Sequence, residues 1–418
     1  MTRLQIAVLV GIACRLALQL ASVVLAHRAE LEPPSRLKGW GLSSEVWRRS
    51  RAHTLETLYP KWIGRLLTLG GLIWLWLSGT ADSFALWASS LNHGSIYFGS
   101  TVFFTCLMLG SRVIQLPFAA WTSFHVEPRY RPVPNPAKQR INLLFGHLVL
   151  DLAKVFCLSA VLAVMMANRG MPFFVPPVLV AAFLVLYSIG TASRSMKKAF
   201  GGARRLDSMP VWLSIQSVAK SAQLSVSNVH VLAASKSQSV VNAMMVGSGE
   251  NREVLLFDNL IRKFTPEQVA AVVAHEFGHA EGEHLRWMGL VRFAVLATVY
   301  SIAGWCISNP SFCTEMGFMS SSPFVALLGA YILILPVDTF LLGPILFGLS
   351  RRNEWAADRF AAERCGVAED LAQALIGISE HNLSQVASHP FNVFFAGTHP
   401  STEERVTRLF AQANASPS

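Results

Sequence analysis

The sequence predicts a mainly α-helical, polytopic membrane protein with about seven transmembrane helices and a small α+β unit on one side of the bilayer. Three observations predict it. Only 14% of the 418 residues are charged and 52% are hydrophobic, whereas soluble proteins carry about 25% charged residues. Seven apolar runs are long enough to cross about 30 Å of hydrocarbon, which takes about 20 helical residues. One stretch, 192–286, is long and polar enough to fold by itself between spans. At a mean hydropathy of +0.41, this much apolar surface cannot be hidden in a water-facing fold of ordinary core size. Disorder, a collagen-like fibre and a disulfide-rich secreted scaffold are excluded by the same numbers.

In chain order, the runs 4–26, 66–88, 96–121, 142–167 and 171–191 make a five-span membrane region over 1–191. The runs 287–308 and 324–349 make a two-span hairpin over 287–349, and 350–418 form a C-terminal region. The first, fourth and seventh runs carry Arg15, then His147, Asp151 and Lys154, then Asp338. Such groups inside a bilayer must pair with one another or line a wet cavity. Arg112 raises the same choice.

With seven spans, the segments 27–65, 122–141, 192–286 and 350–418 share one side and hold 29 Lys and Arg. The opposite side holds Arg3 and Arg169. The positive-inside rule therefore places the N-terminus outside and the 192–286 unit and C-terminus in the cytoplasm. The membrane would be the endoplasmic reticulum in a eukaryote or the inner membrane in a bacterium. Residues 1–26 could instead be read as a cleaved signal peptide ending at Ala26, but that would put the basic 27–65 segment outside, against the charge count.

The net charge of +10 follows from the cytoplasmic cations, and no nucleic-acid-binding motif accompanies it, so no nucleic-acid partner is expected. None of the six cysteines forms a CxxC pair. Cys306 and Cys313 are close enough in sequence to bond in an oxidising compartment, or to remain two thiols.

The 192–286 unit opens on a basic collar, ASRSMKKAFGGARR, and Pro210 then begins an amphipathic helix. Runs at 228–233, 239–247 and 253–258, with a turn at 248–252, read as β-structure containing an antiparallel hairpin. Thr265-Pro266-Glu267-Gln268 is a capping box with proline at the first helical position.

That capped helix carries HEFGH. His275 and His279 are four residues apart and project from one helical face. They supply two of the three protein ligands of a catalytic zinc ion, and Glu276 is placed to take a proton from water attacking a carbonyl. Glu354 and Asp358, also four apart, follow the last span. Glu354 completes a His₂Glu set holding one Zn²⁺ per chain, and Asp358 is expected to accept a hydrogen bond from a ligand histidine and fix its tautomer. His279 lies eight residues before the sixth span and Glu354 five after the seventh, so both sit within about 12 Å of the same membrane surface. Glu276 argues against a purely structural site, which needs no base.

HEFGH followed by His284 resembles the HExxHxxxxH of integral-membrane gluzincin peptidases, and NEWAAD resembles their glutamate-ligand helix. Five spans before the catalytic loop and two after it resemble the type I CAAX prenyl protease family, to which the HtpX-type proteases are related. VVNAMMVG is similar to the family's substrate-edge strand, EVLLFDNL to the strand entering the catalytic helix, and THPSTEERVTRL to its His-Pro…Arg segment. Asp151 and Lys154 match a D-x-x-K pair. Met244 and Met245 stand where aromatic residues are usual, and His399-Pro400-Ser401 where many relatives read His-Pro-Pro.

The resemblance implies a gluzincin-type α+β unit, a large chamber among the spans, and hydrolysis of C-terminally prenylated peptide or protein substrates. It implies substrate-carboxylate binding or oxyanion stabilisation by His399 and Arg405, against which stands a plain ion pair of Arg405 with Glu403 or Glu404. Asn242 and Ala243 would offer backbone hydrogen bonds to an extended peptide. His284 is read as a surface residue or a neighbour of the ligands. Two other roles fit the same residues: a membrane-protein quality-control protease, and a non-catalytic scaffold or channel with a structural zinc.

Overall fold

The computed structural model describes residues 1–28, 39–130 and 202–415, with gaps at 225, 227, 235–239, 247–252 and 385, and short pieces between 141 and 197. The fifth expected span therefore falls partly, and the fourth, with His147 and Lys154, largely outside the described residues. So does the turn at 248–252.

The first helix, α1 (Arg3–His27), corresponds to the first expected span. The second expected span, 66–88, is corrected. Its helix α2 (Ser44–Leu77) begins far earlier, inside the segment read as a connecting loop, and stops at Ser78. After a 78° bend the chain resumes as α3 (Thr80–Ser90). Gly79 makes the corner at φ +73°, a left-handed conformation that glycine adopts without penalty. Hydropathy sees a continuous apolar run because both arms are apolar, and one glycine does not interrupt it.

Helix α4 (Ile96–Tyr130) is a single apolar rod with a π turn at Thr122–Val126. It packs along α2. Asp151 pairs with Arg112 of α4, so one partner of this acidic group comes from another helix.

The soluble unit holds a four-stranded mixed sheet. Strand β1 (Ala203–Arg205) lies inside what reads as a basic collar and forms one edge. Helix α5 (Met209–Ser221) follows, then β2 (Val229–Leu232), β3 (Ala243–Val246) and β4 (Glu253–Phe257). The order is β1-β2-β4-β3. β3 and β4 form the expected antiparallel hairpin, while β2 and β4 pair in parallel. A short helix, α6 (Asp258–Lys263), leads to α7 (Pro266–Glu281), the HEFGH helix. Thr265 and Gln268 close the capping box as the sequence predicts.

Helix α8 (His284–Ser308) crosses as the sixth expected span, and α9 (Pro310–Glu315) turns the chain. Cys306 and Cys313 are buried free thiols here. The last apolar element, α10 (Pro323–Glu363), runs on without a break from the seventh expected span into the segment bearing Glu354. Pro336 has no N–H to donate, and a π turn follows at Asp338–Leu342. The Leu335 carbonyl accepts from the Arg15 guanidinium at 2.5 Å and from the Thr339 hydroxyl at 3.1 Å. Arg15 thus finds its partner on α10. Helices α11 (Ala368–Asn382), α12 (Pro390–Ala396) and α13 (Thr402–Ala415) complete the chain.

The described residues contain four helices long and apolar enough to cross a membrane, or five if α2 and α3 are one bent span. Two cores result. One joins α1, α2, α3, α4, α8, α9 and α10 around Trp76, Phe103 and Phe324. The other gathers α5, α6, α7, the end of α10, α11, α13 and the sheet around Phe277, Leu256 and Leu260. Burying one such side chain contributes about 1.5–3 kcal/mol, and α7 is surrounded by them.

Candidate active site

Burial on most sides makes α7 a rigid platform. Val269 through Ala274, and Phe277, are all buried. Gly278, the glycine of HEFGH, is where α10 crosses. A Cβ there would lie 2.7 Å from the Ala357 Cα and 3.0 Å from the Phe360 Cβ. Any larger residue would push the two helices apart. This contact brings Glu354 and Asp358 to His275, because residues three and four apart share a helical face.

His275 Nε2 and His279 Nε2 face one another at 3.2 Å. Glu354 closes the group, with Oε2 at 3.5 Å from His275 Nε2 and Oε1 at 3.3 Å from His279 Nε2. One ligand atom from each of the three lies within 4.8 Å of the others. The fit to a metal ion is testable on these groups alone. Glu354 Oε2 is buried and accepts no hydrogen bond, although the Arg405 Nη1 stands 3.1 Å away as a charge partner. Two imidazole nitrogens and a carboxylate oxygen turned toward one point are a metal donor set. The residues fit.

Behind the ligands lies a buried charge network. His275 Nδ1 lies 2.9 Å from Asp358 Oδ1. Asp358 accepts two bonds from Arg405, Nε to Oδ2 at 2.8 Å and Nη2 to Oδ1 at 2.7 Å. Arg405 is 8% exposed and Asp358 4%. Each guanidinium nitrogen faces a carboxylate: two reach Asp358 and the third Glu354. Glu403 and Glu404 are not its partners in these contacts.

Burial opposes every charge here, and the pairing decides the outcome. Burial lowers the His275 pKa, but hydrogen bonds to Asp358 and Glu354 outweigh it and push the ring up to about 9. Burial raises the Asp358 pKa, and Arg405 overcomes it to hold the carboxyl down to about 2. Glu354 is likewise held low: burial raises it, and the two histidines overcome that. Glu276 goes the other way. Burial raises its pKa against the opposing fields of His275 and His279.

Glu276 Oε2 accepts a hydrogen bond from the backbone N–H of Met245 at 3.1 Å. That amide belongs to β3, the sheet edge beside α7. Asn242 has its carbonyl engaged by the Phe257 N–H at 3.0 Å, so by the alternation of an antiparallel ladder Asn242 and Met244 face β4, while Ala243 and Met245 face outward. Of the two residues expected to offer backbone to a peptide, Ala243 faces the edge and Asn242 faces the sheet. His399, on the loop between α12 and α13, is exposed, with Nε2 3.4 Å from Glu354 Oε1.

The structure thus brings His275, Glu276, His279, Glu354, Asp358, His399 and Arg405 to one place. Sequence reasoning did not single out the Met245 amide. Backbone donors carry no residue signature, so only the strand register locates it.

The family model of peptidase family M48 matches residues 211–413. A second, described as the CAAX prenyl protease N-terminal region with five membrane helices, matches 24–191. The chain belongs to peptidase family M48, in its CAAX prenyl protease branch. It is a membrane metallopeptidase. The CAAX prenyl protease 1 homologue of Arabidopsis thaliana is 25% identical over 88% of each chain. The homologue from Oryza sativa is 26% identical over 92% of each. The crystal structure of S. mikatae Ste24p shares the fold, with a TM-score of 0.82 at 20% identity, covering 98% of this chain and 99% of that one.

Proposed function

We propose that this M48 peptidase is zinc-dependent and cleaves C-terminally prenylated CAAX-type substrates at the cytoplasmic face of its membrane. The observation that carries the metal assignment is the meeting of His275, His279 and Glu354 within 4.8 Å, with Glu276 beside them. A His₂Glu set leaves one position of a tetrahedral zinc open. The ion, when bound, supplies Lewis acidity toward a water molecule and the scissile carbonyl.

The chain's own residues do the rest. Glu276 takes the proton from the attacking water and delivers it to the leaving amine, and burial makes it a stronger base for that task. An extended peptide adds to the outer edge of β3 through Ala243 and the Met245 carbonyl. Asp358 holds His275 through Nδ1, so its Nε2 is the ligating nitrogen. Arg405 holds Asp358 and Glu354 in place, its guanidinium being fully engaged there. His399, on the exposed rim, is the group placed to face the developing oxyanion.

The prenyl assignment is supported by the family branch and by relatives named as CAAX prenyl proteases. Cytoplasmic placement is supported by the 29 cationic residues on one side of the expected topology. The test compares one CAAX-terminated peptide with and without a farnesyl group, using the purified full-length protein in nanodiscs. The lipidated peptide should be cleaved faster. Equal rates would overturn the prenyl assignment and favour broad-specificity quality control.

A further inference from the structure

We propose that His284 is a positioning residue for the metal ligand His279, fixing its tautomer and ring direction from the first turn of membrane helix α8. The inference rests on the zinc reading of the site. His279 turns Nε2 toward His275 and Glu354, which leaves Nδ1 on the far side of the ring. That Nδ1 lies 2.8 Å from His284 Nδ1. An imidazole that ligates through Nε2 carries its proton on Nδ1. His279 Nδ1 therefore donates, and His284 Nδ1 accepts.

The chain is shaped to put His284 there. α7 ends at Glu281 and α8 begins at His284, so two residues turn the backbone. Glu283 adopts φ +48°, a left-handed conformation uncommon outside glycine. Gly282 leaves the room: a Cβ there would lie 2.3 Å from His284 Nε2 and 2.7 Å from its Cδ2. The ring is half-buried and meets His279 edge to face, with centroids 5.0 Å apart.

The two ligand histidines are thus held by chemically different partners. His275 leans on the Asp358 carboxylate, itself clamped by Arg405. His279 leans on an imidazole. Glu276, Glu354 and Asp358 already crowd the site, and a further carboxylate at position 284 would add a fourth negative charge. An imidazole gives direction without that charge. Because His284 is also the first residue of α8, it fixes the sixth expected span to the metal centre.

The test follows zinc release from the purified, zinc-loaded, full-length protein into excess chelator, together with zinc content. His284→Ala should release zinc roughly 10- to 100-fold faster than wild type, the usual cost of losing such a partner. His284→Gln, which keeps an acceptor, should fall between the two. Gly282→Ala pushes the ring aside without deleting any hydrogen-bonding group, so it should reproduce His284→Ala. The double variant should be no faster than either single one. Wild-type release from His284→Ala, or effects that multiply in the double variant, would overturn the proposal. If His284→Ala does not fold, wild-type release from Gly282→Ala overturns it alone. Failure of the zinc reading looks different, since wild type itself would then carry no zinc.

Discussion

The backbone N–H of Met245 donates to Glu276 at 3.1 Å, tying the sheet edge to the carboxylate beside the candidate metal ligands. One strand therefore does two things. On the proposed mechanism its outward groups receive a peptide, while the Met245 N–H holds the proposed base beside it.

Glu276→Gln keeps the shape and the hydrogen-bonding reach while removing the base. Hydrolysis should fall by roughly 10²–10⁴-fold, with metal content and the thermal unfolding midpoint unchanged. Turnover at the wild-type rate, measured on the same metal-loaded sample, would remove Glu276 from this role.

Arg405 neutralises two buried carboxylates, Asp358 and Glu354. Arg405→Met should destabilise the catalytic unit by about 3–5 kcal/mol, because it strands charge in a buried site. Adding Asp358→Asn should restore part of that loss. Denaturant unfolding of the two variants checks the sign: a double variant weaker than Arg405→Met would contradict the pairing.

The Asp358 carboxyl is held down to about 2 from an ordinary value of 3.8. A depressed carboxylate stabilises the fold above its unfolded pKa, and that contribution disappears as pH falls toward the folded value. The size is about 2 kcal/mol. Between about pH 4 and pH 2, wild type should lose this stability and Asp358→Asn should not. Parallel pH curves for the two proteins would show that Asp358 is not held this way.

The proposed sidedness rests on the charge distribution. In a background without native cysteines, Cys at position 311 should react with an impermeant thiol reagent in intact cells. Cys at position 369 should be protected until the membrane is opened. The reverse pattern would invert the topology and place the site outside the cytoplasm.

Much of the site was legible because its chemistry needs fixed spacings. His275 and His279, and Glu354 and Asp358, are pairs four residues apart, and the capping box marks where their first helix starts. The close approach at Gly278 and Ala357 was not legible, since it depends on two helices distant in sequence. Span 66–88 was misread because the corner at Gly79 interrupts no apolar run. β1 was missed because three residues, two of them arginine, look like solvated collar. Asp151 pairs across helices with Arg112; the sequence raised Arg112 as a candidate, but spacing within one helix cannot choose a partner on another.

The proposal that His275, His279 and Glu354 hold one zinc ion between them is tested most directly by zinc content from elemental analysis, wild type against Glu354→Ala. Wild type should carry about one zinc per chain and hydrolyse peptide. Glu354→Ala should lose both metal and activity, because two imidazoles alone hold a catalytic zinc poorly. Full zinc occupancy in Glu354→Ala would contradict this and place the third ligand elsewhere.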